Sequence, residues 1–203
     1  MQQREPNRPS SEGLRIPVIY GSVRSERQGI RVARFMVSEL QRRGCEPALI
    51  DPLEYRLPLL DLMYKEYSSG TAPAELEELA RLYRGADGFV IVSGEYNNGI
   101  PPALKNLLDH FLEEYFWRPS AIVCYSAGRF GGVRAAMQLR MTLGELGMPS
   151  IPSLLPIANV STAFTQEGIP TEAHFAQRSE RFFSEFFWYM KALKAARLSG
   201  VPY

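Results

Sequence analysis

Residues 16–29 read I-P-V-I-Y-G-S-V-R-S-E-R-Q-G, and this stretch decides the fold. The mostly apolar run at residues 14–20 is typical of a buried strand. A short polar loop follows, and across residues 29–43 apolar side chains recur at helical spacing until Gly44 ends the pattern. A buried strand, a short loop and an amphipathic helix form the first unit of an α/β fold.

The same unit recurs along the chain. Further strands are predicted at residues 47–50, 88–93, 120–125 and 151–157, and further helices at residues 73–83, 103–116, 133–146 and 171–198. The third and fourth strands are continuous apolar runs, as in strands buried on both faces, whereas the proline-rich fifth suits a sheet edge. Strands that alternate with helices predict a doubly wound, five-stranded parallel sheet with helices on both faces.

Composition indicates one domain. The 203 residues are 45% hydrophobic and 22% charged, which fits a soluble domain with a sizeable core. The start, M-Q-Q-R-E-P-N-R-P-S-S-E, is polar and lacks the apolar segment of a signal peptide. We therefore expect a flexible tail at residues 1–13 and a single domain at residues 14–203.

Charge and cysteine content narrow the class of partner and the compartment. The net charge of +1 gives no long-range field for nucleic acid or an anionic membrane. No apolar run approaches the ~20 residues that cross a bilayer. Cys45 and Cys124 form neither a disulfide framework nor a metal-ligand spacing. We expect a cytoplasmic protein with no metal site and no nucleic-acid or membrane partner.

Three unusual loops are predicted to meet at one edge of the sheet. Ligands of doubly wound sheets bind beyond the carboxyl ends of the strands, where the strand order reverses. For the order 2-1-3-4-5 that point lies between strands one and three, so loops 21–29 and 94–102 meet there, with loop 126–132 beside them. This coincidence predicts a ligand site at that edge.

The first loop suits a phosphate group. A helix N-terminus presents unpaired N–H groups and partial positive charge, and Gly29 lets the backbone approach a ligand closely. Ser22 offers a hydroxyl, while Arg24 and Arg27 offer charge-assisted hydrogen bonds. The loop matches neither G-x-x-x-x-G-K-[ST] nor G-x-G-x-x-G. The alternative is a solvated arginine turn.

The second loop, G-E-Y-N-N-G-I-P from Gly94, suits a planar heterocycle. Tyr96 offers an aromatic face, and Glu95, Asn97 and Asn98 offer donors and acceptors for a ring edge. The alternative is a hydrophilic turn with an Asn-Gly step.

The third loop, S-A-G-R-F-G-G from Ser126, would let a ring lie close to backbone N–H groups, although such a loop is often only a tight turn. Cys124 and Arg129 invite comparison with the phosphatase signature C-x5-R. Their spacing is one residue short, and an apolar strand raises the pKa of a thiol, which opposes a nucleophilic role.

Other chemistry-bearing residues are predicted to be structural. His110 and His174 lie far apart in sequence without clustered ligands, and no serine stands in G-x-S-x-G. The aromatic cluster at residues 182–189 predicts core burial first and a subunit interface second.

Four motifs together resemble the NADPH-dependent FMN reductase family of the flavodoxin-like fold, which includes quinone, chromate and azo-dye reductases. They are G-S-V-R-x-x-R-x-G at residues 21–29, E-Y-N-x-x-x-P-x-x-L-K-N-x-x-D at 95–109, S-x-G-x-x-G-G at 126–132 and A-L-K-A-A-R at 192–197. The resemblance spans residues 14–198.

The resemblance implies an FMN site. The phosphate would be held by Ser22, Arg24, Arg27, Gln28 and Gly29. The isoalloxazine and ribityl chain would lie against Gly94, Glu95, Tyr96, Asn97 and Asn98, with Ser126, Ala127, Gly128 and Gly131 at the other edge. Two positions depart from the pattern: Gly94 stands where many members have proline, and Arg27 stands where other branches have serine.

The resemblance also implies an activity. NADPH or NADH would pass hydride to the flavin, which would reduce a small acceptor such as a quinone, flavin, azo dye or metal oxyanion, without a catalytic side chain. A non-enzymatic flavodoxin-type electron carrier is the alternative, although such carriers favour strongly one-signed surfaces. A regulator that binds protein partners is a third possibility. Family members form dimers or tetramers, so we expect a homodimer or homotetramer.

Overall fold

A parallel β-sheet lies at the centre of the computed structural model, which describes residue 11 and residues 13–203. Its strands are β1 (Arg15–Tyr20), β2 (Glu46–Ile50), β3 (Phe89–Gly94), β4 (Ser120–Tyr125) and β5 (Ser150–Ile157). The strand order is β2-β1-β3-β4-β5 and every neighbouring pair is parallel. The predicted doubly wound sheet is therefore confirmed, with β5 at an edge. Most of the predicted tail, residues 1–10 and 12, lies outside the described residues.

Helices cover both faces of the sheet. They are α1 (Ile30–Arg42), α2 (Ala74–Arg84), α3 (Pro102–Asp109), α4 (Val133–Glu145), the short α5 (Val160–Ala163) and α6 (His174–Leu198), with 3-10 turns at Tyr64–Glu66 and Glu113–Tyr115. Within the described part of the chain, no helix has both the length and the apolar character needed to cross a membrane.

The core consists of two apolar clusters, one on each face. Side chains alternate along each strand, so Val90 packs in the cluster with α1 and α6, while its neighbour Ile91 packs in the cluster with α2, α3 and α4. The aromatic residues of α6 belong mainly to the first cluster, as predicted, with Phe182, Phe183 and Phe186 fully buried.

The predicted helix 103–116 is wrong at its end, because α3 stops at Asp109. Leu112 leaves the helical region at φ −146°, and the carbonyl of His110 accepts the N–H of Tyr64 instead of continuing the helix. The helical spacing of apolar residues continues to Tyr115 because Phe111 and Tyr115 still pack into the same cluster, around Tyr83. The helical spacing of apolar residues after Asp109 therefore results from tertiary packing and not from a helix.

Two smaller differences concern the last third of the chain. A short helix that was not predicted, α5, lies between β5 and α6, and α6 begins at residue 174 rather than 171. Asn159 precedes α5 in a left-handed conformation at φ 48°, a geometry that asparagine tolerates better than most residues.

Candidate functional site

The three predicted loops meet at the carboxyl edge of β1, β3 and β4 and enclose one open cavity of ≈ 140 Å³. It is lined by Ser22, Arg24, Glu26, Arg27, Gln28, Glu95, Tyr96, Tyr125, Ser126, Ala127 and Val160. The other predicted site residues, Gly29, Gly94, Asn97, Asn98, Gly128 and Gly131, belong to the same loops but do not line this cavity. The strand order therefore brings residues that are about a hundred positions apart into one site.

The first two loops are joined through hydroxyl groups. The Ser22 Oγ and the Tyr96 hydroxyl lie 2.6 Å apart, and Ser22 is 2% exposed. The Arg24 guanidinium lies 5.9 Å from the centre of the Tyr96 ring, and Arg24 has no carboxylate partner among the described residues. Arg24 is therefore an exposed cation at the mouth of the cavity.

Arg27 is held differently from Arg24. Its Nη1 donates to the Asp51 carboxylate at 2.5 Å and to the Ser22 carbonyl at 3.3 Å, and its guanidinium lies 5.5 Å from the centre of the Tyr20 ring. The hydrogen bond to Asp51 raises the pKa of Arg27, so the guanidinium stays charged. Arg27 thus anchors the loop to the end of β2 while its remaining N–H groups stay near the cavity.

Asp51, the partner of Arg27, is a site residue that was not predicted. The residue follows β2 directly, so its place at the carboxyl edge was the only available signal. It is 2% exposed, and its Oδ1 also accepts the N–H of Leu53.

Tyr125 forms the floor of the cavity and was also missed. A Cβ atom added at Gly29 would lie 2.0 Å from the Tyr125 Cζ, and one added at Gly94 would lie 3.0 Å from the same atom. Gly29 has φ −66°, so it is needed for space rather than for an unusual backbone conformation. A side chain at position 94, such as that of proline, would therefore crowd the Tyr125 ring.

A second tyrosine lies beside Tyr125. The hydroxyls of Tyr20 and Tyr125 are 3.5 Å apart. Burial raises the pKa of both phenols, which keeps them neutral beneath the loop.

The second loop is a tight β-hairpin. Tyr96 and Gly99 exchange both backbone hydrogen bonds, at 3.1 and 2.9 Å, and Asn97 and Asn98 between them have φ values of 49° and 66°. Two positive φ values define a type I′ turn, which favours asparagine. The predicted hydrophilic turn is therefore present, and it displays both asparagines at an exposed tip.

Glu95 links this hairpin to the first turn of α4. Its carboxylate accepts the backbone N–H groups of Arg134 and Ala135 at 3.0 and 3.2 Å, and the Arg134 Nη1 at 3.2 Å. Those N–H groups belong to the first turn of α4, where a carboxylate is favoured. The Glu95 carboxylate is thus engaged with α4 and is not a free acceptor in the cavity.

The glycine-rich third loop turns sharply above β4. Gly131 and Gly132 have φ values of 62° and 81°, and a Cβ at Gly132 would lie 2.7 Å from the Tyr125 carbonyl oxygen. Gly128 has no neighbour within 4 Å of such a Cβ, so its surface faces open space. The buried Cys124 lies beneath, and burial raises its pKa to about 12, which excludes an activated thiolate.

The donors at the start of α1 fit a phosphate group. The backbone N–H groups of residues 27–29 donate to no protein acceptor in the described ranges. They lie beside the Ser22 hydroxyl and Arg24 at the positive end of a helix dipole, and such a set matches the acceptor oxygens of a phosphate.

This sheet order defines a flavodoxin-like protein, whose carboxyl-edge loops carry phosphate-type donors and an aromatic hairpin. The sequence profile of the NADPH-dependent FMN reductase family matches residues 14–162. The chain belongs to this family and is an FMN-dependent NAD(P)H oxidoreductase.

Individual relatives agree. An NAD(P)H-dependent FMN reductase of Schizosaccharomyces pombe is 32% identical over 187 residues, which cover 85% of this chain and 90% of the relative. A quinone reductase of Pseudomonas putida is 32% identical over 145 residues, covering 68% and 74%. The solved structure of FerB, a flavoenzyme NAD(P)H:(acceptor) oxidoreductase from Paracoccus denitrificans, has the same fold, with a TM-score of 0.70 at 20% identity over 87% of this chain and 97% of FerB.

Proposed function

We propose that the cavity between the three loops holds FMN with its phosphate at the mouth of α1. The single observation that supports this most strongly is that the N–H groups of residues 27–29, beside Ser22 and Arg24, find no acceptor among the described residues. Arg24 supplies a guanidinium that pairs with no carboxylate in the described part of the chain, and the Ser22 hydroxyl is oriented by Tyr96. Arg27 contributes positive charge while Asp51 fixes its position.

The remaining loops would hold the ring system. Tyr96 offers an aromatic face, and the backbone N–H groups of Asn97 and Asn98 at the exposed hairpin tip are suitable donors to a pyrimidine edge. Glu95 and Gly94 support this hairpin from the side of α4 and β4. The other edge would be bordered by Ser126, Ala127 and Gly128.

Bound FMN would supply the hydride chemistry, accepting from NADPH or NADH and donating to a small acceptor. The chain's own residues would bind FMN and hold it in a fixed orientation. The neutral phenols of Tyr20 and Tyr125 add no negative charge beneath the phosphate. A quinone is a suitable acceptor, because a relative with this activity covers more than two thirds of the chain. Free flavin, azo dyes and metal oxyanions are further candidates.

Anaerobic stopped-flow mixing with NADPH tests this function against that of an electron carrier. A reductase bleaches its flavin absorbance on the timescale of turnover, and the absorbance returns when a quinone is added. A flavin that binds but stays oxidised with both NADPH and NADH would contradict the proposal. Steady-state rates with quinone, free flavin, azo dye and chromate then rank the acceptors.

The assembly and cellular setting belong to the same proposal. Met137, Met141 and Trp188 are 48%, 72% and 61% exposed, and such apolar surface supports a homodimer or homotetramer. Residues 14–203 would act as one domain, and the two free cysteines suit the cytoplasm. A monomeric mass by light scattering at micromolar concentration would contradict the oligomer.

A further inference from the structure

A second cavity, of ≈ 360 Å³, lies on the far side of the third loop. Ser126 and Ala127 face the proposed FMN cavity, whereas Arg129, Phe130 and Gly131 of the same loop face this one. Its other walls come from the end of β5, from α5 and from the start of α6. One loop therefore separates two cavities at the same edge of the sheet.

The second cavity is positively charged. Of the described residues, Arg129, Arg178 and a single carboxylate, that of Glu172, line it. Arg129 has no hydrogen bond or ion pair to another described residue. Among the described residues, Arg178 makes one hydrogen bond, from Nη2 to the Pro156 carbonyl at 3.1 Å, so its other N–H groups have no acceptor there. Arginine is the side chain best suited to grip a phosphate through paired N–H donors.

The cavity also offers an aromatic surface. Phe130 is 49% exposed, although it is a large apolar side chain. The guanidinium groups of Arg129 and Arg134 lie 5.0 and 4.4 Å from the centre of its ring. Phe175, Val133 and Pro156 add further apolar lining. Guanidinium groups around an exposed ring suit a ligand that carries both a phosphate and a heterocycle, which is the chemistry of a nucleotide.

We propose that this cavity binds the adenosine end of NADPH, with Arg129 and Arg178 on the 2′-phosphate. The inference rests on the proposed function, because a dinucleotide that serves a flavin in the first cavity can extend across the shared loop. NADH has a neutral hydroxyl in place of this phosphate, so the two guanidinium groups would not increase its binding affinity. The chain would therefore select NADPH over NADH.

Calorimetric titration with adenosine 2′,5′-bisphosphate and with AMP tests the site without turnover. We expect the bisphosphate to bind the FMN-loaded protein about tenfold more tightly than AMP. The double variant Arg129→Gln, Arg178→Gln should lose this preference while its affinity for FMN stays unchanged. Arg181→Gln, one turn further along α6 and outside the cavity lining, is the matched control and should behave as the unsubstituted protein.

The outcomes separate this inference from the proposed function. Equal binding of the bisphosphate and AMP, or an equal loss in the double variant and in Arg181→Gln, would overturn the nucleotide site while FMN reduction continued. The ratio of kcat/KM for NADPH over NADH gives a second readout and should fall about tenfold in the double variant. An unchanged ratio would also contradict the inference. A protein that takes up no FMN would instead overturn the proposed function.

Discussion

The ring of Tyr125 lies directly on the backbone of Gly29, where α1 begins. An added Cβ at Gly29 would lie 2.0 Å from the Tyr125 Cζ and 2.3 Å from its hydroxyl oxygen, distances that no packed structure accommodates. The end of β4 and the start of α1 are therefore fitted to each other. This contact fixes the position of the Tyr125 ring beneath the proposed phosphate site.

Gly29→Ala should displace this ring and loosen the loop. Overpacking of this kind typically costs about 1–3 kcal/mol, so we expect a lower free energy of unfolding and weaker FMN binding. Tyr125→Leu removes the atoms that clash, and the double variant should be more stable than the sum of the two single effects predicts. Denaturant unfolding of the four proteins measures this coupling, and strictly additive effects would show that the two residues do not touch.

The ion pair between Arg27 and Asp51 should couple the first loop to β2. Asp51 is almost fully buried and Arg27 is largely so, which makes this pair stronger than a surface pair. We expect a double-mutant cycle with Arg27→Ala and Asp51→Ala to give a coupling of about 1–3 kcal/mol. The more exposed pair Lys105–Asp109 on α3 is the control and should give about 0.3–0.5 kcal/mol. A similar coupling at both sites would contradict a structural role for the buried pair.

Arg24→Gln should weaken FMN binding but spare riboflavin, which has no phosphate. A charge-assisted bond contributes about 1.5–3 kcal/mol, so the FMN dissociation constant should rise about tenfold or more. Arg81→Gln on the exposed face of α2 removes the same charge elsewhere on the surface. Fluorescence titration of both variants with both flavins provides the comparison, and an equal loss for FMN and riboflavin would argue against a phosphate contact.

Glu95→Gln should destabilise the hairpin and the first turn of α4 together. The change removes the charge that faces the helix dipole, and we expect a loss of about 1 kcal/mol in the free energy of unfolding. Glu145→Gln removes an acidic residue at the opposite, negative end of α4 and should not destabilise. Thermal unfolding compares the variants Glu95→Gln and Glu145→Gln. Equal melting temperatures would contradict the capping role of Glu95.

The Cys124 thiol should resist reagents in the folded protein. Burial raises its pKa from 9.0 to about 12, so the folded state disfavours the thiolate. Its contribution to stability is therefore complete below the unfolded pKa of 9.0 and is lost as the pH rises from there toward 12. A disulfide reagent at pH 8 should label Cys124 only after denaturation, and rapid labelling of native protein would contradict this burial.

The sheet and its edge were predictable because buried parallel strands leave a strong sequence signal. Continuous apolar runs such as that of β3 predicted the strands, and their alternation with helices predicted the parallel sheet. The end of α3 was not predictable, since Phe111 and Tyr115 keep a helical spacing while they pack from irregular backbone.

The site was predictable only in part, for a related reason. Residues within the loops, such as Ser22 and Tyr96, stood out by type and position. Tyr125 looked like one more apolar strand residue, and Asp51 looked like one polar residue in an irregular segment. Their roles depend on which neighbour each strand end meets, which arises only when the strands assemble. The bond from Glu95 to α4 is likewise a contact between distant parts of the chain.

The most direct test of the central claim is a titration of the flavin-free protein with FMN, in which quenching of the flavin fluorescence measures binding. One site formed by three loops predicts saturation at one FMN per chain, and weaker binding after Arg24→Gln than after Arg81→Gln. Fluorescence that stays at the level of free FMN throughout the titration would contradict the account.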